Sequence, residues 1–79
     1  MFTLAAGKKV SGVKQSRRAV RDGLAKTVFL ARDADPAVIE PIRTFCLENH
    51  VPVIDQFAMR ELGQAAGIQV GAAVVTLLI

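Results

Sequence analysis

Three stretches of the chain are apolar without interruption: TVFLA (27–31), VPVI (51–54) and AAVVTLLI (72–79). They are rich in β-branched residues and lack the alternation of a half-exposed strand, so they predict strands buried on both faces. A short KVSG (9–12) is expected to add an edge strand. Between these runs the period changes. In VKQSRRAVRDGL (13–24), Val13, Ser16, Ala19 and Val20 fall on one side of a helix, and Gly23 suits its C-terminal cap. DADPAVIEPIRTFCLENH (33–50) opens with Asp35 as N-cap and Pro36 at the first helical position, with Ile39, Ile42, Phe45 and Cys46 as its buried stripe. Pro41 requires either a kink in that helix or an initial turn ahead of a helix proper that starts there. In QFAMRELGQAAG (56–67), Phe57, Met59, Leu62 and Ala66 lie near one face, and Gly67 ends the helix.

Helices alternating with fully buried strands imply the α/β class, here a compact three-layer α/β/α sandwich. The 79 residues are read as one domain, 1–79, without linker, repeat or low-complexity segment. That length is near the lower limit for folding without disulfides or metal, and a hydrophobic content of 52% compensates. Cys46 is the sole cysteine, which excludes an intrachain disulfide or a cysteine-based zinc site and fits a reducing cytoplasm. MFTLAAGKK lacks the charged start and long apolar run of a signal peptide. GAAVVTLLI (71–79) is shorter than the roughly 20 residues a helix needs to cross a bilayer. The expectation is a soluble, cytoplasmic, unexported protein.

Charge is distributed unevenly. Residues 1–26 carry Lys8, Lys9, Lys14, Arg17, Arg18, Arg21 and Lys26 against Asp22 alone, a local balance of +6; the remainder carries three arginines against six acids. Such asymmetry points to a polyanionic partner. At about 100° per residue, Lys14, Arg17, Arg18 and Arg21 share one arc, with Gln15 at its border. Val13, Ser16, Ala19 and Val20 face the other way, so one face serves the core and the other an anion. Gly12, at the start of the helix, leaves room for a phosphate to approach free backbone N–H groups. A membrane surface favours Trp or Phe beside the cations, and this segment has neither, so nucleic acid is the better partner. Phe29, Phe45 and Phe57 lie in core-like runs and Phe2 near the N-terminus. A stacking platform for single-stranded RNA is therefore not expected.

Catalytic constellations are scarce. His50 is the only histidine and sits at a helix end; Cys46 lies in an apolar stripe with no base in view. Asp33 and Asp35 suit helix capping better than a metal. No Walker loop or dinucleotide glycine fingerprint is present. The sequence points to a binding protein with no cofactor and no metal, and not to an enzyme. The remaining oddity is GIQVGAA (67–73), which puts Ile68 and Val70 on a glycine-flanked turn where polar residues are usual. Either both side chains fold back on the core edge, or they wait for a flat apolar ligand, and Ile68 can do both.

Four segments together, SGVKQSRRA (11–19), ARDADP (31–36), VPV (51–53) and ELGQAAGIQVGAA (61–73), resemble the ribosomal protein family of archaeal L-seven-Ae and eukaryotic L-thirty-e, in particular its small bacterial members of the YbxF type. The likeness spans essentially the whole chain. It implies a mixed four-stranded sheet within the sandwich, and binding to kink-turn RNA, a bent helix–bulge–helix with tandem sheared G·A pairs and an extruded base. Carried over, Gly12, Lys14, Gln15 and Arg18 meet the G·A pairs in the widened major groove, and Ile68, Gln69 and Val70 pack on the bulge. Arg17 and Arg21 join the site as basic members of the same arc. Archaeal members carry Asn-Glu where this chain has Lys14-Gln15. Glutamine both accepts and donates where glutamate only accepts, and lysine supplies a point charge in place of a directional amide, so affinity and base selectivity are expected to differ. The function expected is a monomeric, non-enzymatic partner of structured RNA, with the ribosome as one possible setting. The alternative is a protein-interaction or ribosome-associated scaffold with non-specific RNA affinity.

Overall fold

The computed structural model describes residues 8–68 and 70–79. In chain order it contains β1 (Lys9–Ser11), α1 (Val13–Arg21), β2 (Ala25–Leu30), α2 (Pro36–Glu48), β3 (Val53–Ile54), α3 (Met59–Ala65) and β4 (Val74–Leu78). The sheet order is β1-β4-β2-β3. β4 runs antiparallel to both β1 and β2, while β2 and β3 are parallel, so the sheet is mixed.

Alternation along β2 divides the core into two layers. Val28 and Leu30 pack with Val20 of α1, Ile39, Ile42 and Cys46 of α2 and Val74 of β4. Phe29 and the following Ala31 pack with Leu62 of α3, Ala72 and Val75 on the opposite face. Helices α1 and α2 thus cover one side and α3 the other, which is the three-layer α/β/α sandwich. The helix of the second layer has only seven residues, and coverage there is incomplete. Both residues of β3 and the outer ends of β2 and β4 are only half-buried, short of the burial on both faces that their apolar runs predict.

All three helices end the same way. In each, the residue after the C-cap has a positive φ and donates to the carbonyl three positions back, and the next N–H reaches back five, the pair of bonds of a Schellman motif. The bonds are Gly23 to Val20 and Leu24 to Ala19, His50 to Leu47 and Val51 to Cys46, and Gly67 to Gln64 and Ile68 to Gly63. Gly23 and Gly67 suit this left-handed position, whereas His50 occupies it at φ 57. The lone histidine is a helix terminator.

Helix starts differ more from expectation. Asp35 caps α2 as its sequence suggests, its carboxylate accepting from the Ala37 N–H at 2.9 Å. Between the two options for Pro41, the helix runs continuously from Pro36 to Glu48; Pro41 lies on the exposed side, as does Ala37, whose carbonyl it cannot bond. α3 starts at Met59, three residues later than Gln56. Its first N–H groups find carboxylates there: Met59 donates to Asp33 Oδ1 at 2.8 Å, and Ala58 to Glu61 Oε1 at 2.9 Å. Asp33 and Asp35 therefore cap two different helices. β4 begins at Val74, later than residue 72, because the Ala72 N–H goes to the Met59 carbonyl before the ladder starts.

Candidate functional site

Gly12 joins β1 to α1 at φ 100 and ψ 155, a region open essentially to glycine alone. Its own N–H donates to the Val74 carbonyl at 2.9 Å. The free backbone N–H groups expected beside Gly12 are therefore those of the first turn that follows, at Val13, Lys14 and Gln15, which lack an intrahelical acceptor. The same bond docks the start of α1 on the start of β4. The loop between α3 and β4 therefore emerges at the same end of the sheet as the start of the basic helix.

On α1, Ser16, Ala19 and Val20 are buried, while Lys14, Gln15, Arg17, Arg18 and Arg21 are exposed. Arg21 Nε contacts Asp22 Oδ1 at 3.1 Å, so part of its charge is met by its neighbour. Val13, expected on the core side, is 36% exposed. It sits at the first helical position on the border of the buried stripe and lines an open groove with Lys14, Arg17, Arg18, Arg21 and Phe45. Phe45 also departs from its predicted burial. It is half-buried, and the Arg17 guanidinium carbon lies 5.7 Å from its ring centroid.

At the other arm of the site, the Schellman bond turns Ile68 back onto the α3-face core, where it packs as a half-buried residue. Val70 is turned outward and is 72% exposed. The two apolar residues thus separate: Ile68 caps the core edge and Val70 does not. Gln69 lies outside the described residues. The loop is held close by a residue the sequence pattern did not single out. A Cβ at Gly63 would overlap the Val70 carbonyl oxygen, and one at Gly71 would press on Met59 Cβ at 3.1 Å. A glycine in a helix interior costs about 1 kcal/mol relative to alanine, and that cost was the available signal of a close backbone approach. A depression beside the loop is lined by Asp33, Met59, Arg60, Gln64, Ile68 and Val70, adding Arg60 and Gln64 to its polar rim.

The remaining candidates for chemistry have structural employment. Burial pushes the Cys46 thiol up from its ordinary range, against a smaller opposing effect of Arg43, and the side chain is inaccessible. Arg43 bridges Glu40 at 3.3 Å and Asp55 at 2.8 Å. No group of His, Cys, Asp or Glu among the described residues could hold a metal ion. No helix among them is long and apolar enough to cross a membrane. The arrangement is a row of exposed cations beside a glycine-held loop that offers one apolar side chain to solvent.

A sequence model of the ribosomal protein L7Ae/L30e/S12e/Gadd45 family matches residues 2–78. The chain belongs to this family. Within reach of the L7Ae-type chain are the RNA-binding protein YbxF of Geobacillus stearothermophilus, 47% identical over 75 residues covering 95% of this chain and 92% of that one, and an RNA-binding protein of Bacillus pumilus, 34% identical over 89% of this chain and 85% of that one. Among solved structures, the Giardia lamblia 15.5kD RNA binding protein superposes with a TM-score of 0.84 at 25% identity, covering 90% of this chain and 60% of that one. A protein of unknown function from Bacillus halodurans superposes at 0.80, also at 25% identity, over 87% of this chain and 69% of that one. The mixed sheet with its three helices is the L7Ae-like fold.

Proposed function

We propose that this L7Ae-family protein is a non-enzymatic RNA-binding protein that captures kink-turns and holds them bent. Membership of the family and relatives named as RNA-binding proteins support the RNA partner. The observation that carries the finer reading is the bond from the Gly12 N–H to the Val74 carbonyl, which brings the basic helix start and the apolar loop to one end of the molecule. A kink-turn offers features that suit both arms. Gly12, Lys14, Gln15 and Arg18 face the sheared G·A pairs, Arg17 and Arg21 take flanking phosphates, and Val70, with Ile68 behind it and Gln69 between them, covers the extruded base. Because the protein favours the bent form, it shifts the bent–extended equilibrium of the RNA by its differential affinity for the two. It acts as a monomer in the cytoplasm, on a kink-turn of ribosomal RNA or of a structured messenger leader. A gel-shift titration against a kink-turn and a plain duplex of equal length tests this. The kink-turn binds far more tightly on this reading; equal affinities leave only a basic protein.

A further inference from the structure

The groove between α1 and α2 lies on the far side of Arg17 from Gln15, and its floor is Phe45. A half-buried aromatic ring under an arginine is an unusual use for a residue in an otherwise apolar stripe. The Arg17 guanidinium sits over the ring, its carbon 5.7 Å from the centroid, and Val13 beside it is 36% exposed. Lys14, Arg18 and Arg21 complete the lining, which contains no acid. Asp22 pairs with Arg21 at the groove's rim, and Glu48 lines an adjoining depression with Arg17 and Phe45. The Arg21–Asp22 pair is well exposed, and such pairs are worth at most about 1 kcal/mol, so Arg21 is readily redirected to a stronger anion. Guanidinium planes and aromatic rings are surfaces on which unpaired bases stack, and neighbouring cations take the phosphates on either side.

We infer that this groove is a second nucleotide subsite, in which an unpaired base next to the kink-turn stacks on Arg17 and Phe45 while Arg21 holds its phosphate, with Lys14 and Arg18 left to the G·A pairs. The inference rests on the RNA reading above and extends it to the strand that leaves the stem. Charge and shape together select the occupant: four cations disfavour a neutral peptide, and the planar Arg17–Phe45 pair suits the flat face of a base, which an acidic peptide lacks.

The test compares a blunt kink-turn with the same RNA carrying a short unpaired extension, placed on each stem end in turn, and with an abasic version of each extension. One extension tightens binding of the unaltered protein by about ten-fold, and its abasic version recovers little of that gain. Phe45→Leu, which keeps apolar volume in the seam, binds the blunt RNA normally and loses the gain. Arg17→Lys keeps the charge but not the plane, and its ratio of extended to blunt affinity also falls toward one. Should Phe45→Leu prove poorly folded by its unfolding midpoint, the Arg17→Lys ratio and the abasic RNA decide. The proposal is overturned if neither extension tightens binding, if the abasic version gains as much, or if the altered proteins keep the full gain. Each of those results leaves the preference for kink-turn over plain duplex untouched. A failure of the kink-turn reading shows instead as equal affinity for the blunt kink-turn and duplex.

Discussion

Gly12 and Gly63 are glycines for different reasons, and alanine at each separates them. A Cβ at Gly12 meets open space, so the cost of Gly12→Ala is backbone strain at φ 100, about 1–3 kcal/mol in denaturant unfolding. At Gly63 the added atom collides with the Val70 carbonyl, and backbone has to move. Gly63→Ala should therefore lose about 1–3 kcal/mol of stability and also RNA affinity, because the loop is displaced. The side chains on that loop divide likewise. Val70→Ala should leave unfolding unchanged within about 0.5 kcal/mol, since the residue is 72% exposed. Ile68→Ala should destabilise, though by less than the roughly 2–5 kcal/mol of a fully buried truncation. In binding, the Val70→Ala penalty should shrink on an RNA lacking the extruded nucleotide, while that of Arg18→Ala persists; an unchanged Val70 penalty would return the loop to a mere strand entrance. GIQVGAA already marked Ile68 as able to serve the core as well as a ligand and Val70 as the cleaner probe of binding; what it did not show is how the two are held apart. That separation depends on the bond from the Ile68 N–H to the Gly63 carbonyl, which a hydropathy pattern does not record.

Local signals placed the elements, and non-local ones set their ends. Asp35-Pro36, Gly23 and Gly67 each act within one turn of their own residue, and the helix ends they mark were readable. The start of α3 was not, because its cap comes from Asp33, 26 positions earlier in the chain. Asp33→Ala should accordingly cost about 0.5–2 kcal/mol, comparable with Asp35→Ala, although only the latter lies beside the helix it caps. Phe45 shows the same limit within a stripe. Its spacing fits the buried face of α2, but it lines the open groove beside Arg17 and Val13 and is only half covered. His50 offers a test of the shared helix terminus. A non-glycine residue at φ 57 carries left-handed strain, so His50→Gly should raise the unfolding free energy by up to about 1 kcal/mol, less the added flexibility of the unfolded chain. A loss of stability would mean that the imidazole makes a contact that outweighs the strain.

At the scale of the molecule, the sandwich separates its charge: a basic helix at one side and loop acids spent on caps and on Arg43. The +6 balance of the first 26 residues announced a polyanion partner, and the period of α1 announced its face. If about four phosphates are neutralised, log K should fall against log[salt] with a slope of roughly −3 to −4, and Arg18→Ala should weaken binding without unfolding the domain. Salt dependence alone reports only that an anion is bound; what distinguishes a kink-turn reader from a basic scaffold is dependence on the G·A pairs. The deciding measurement is therefore equilibrium affinity for a kink-turn and for the same RNA with its sheared G·A pairs replaced by Watson–Crick pairs, at unchanged length, charge and salt. The account predicts that affinity collapses toward that of plain duplex. Equal affinity for the two RNAs would contradict it.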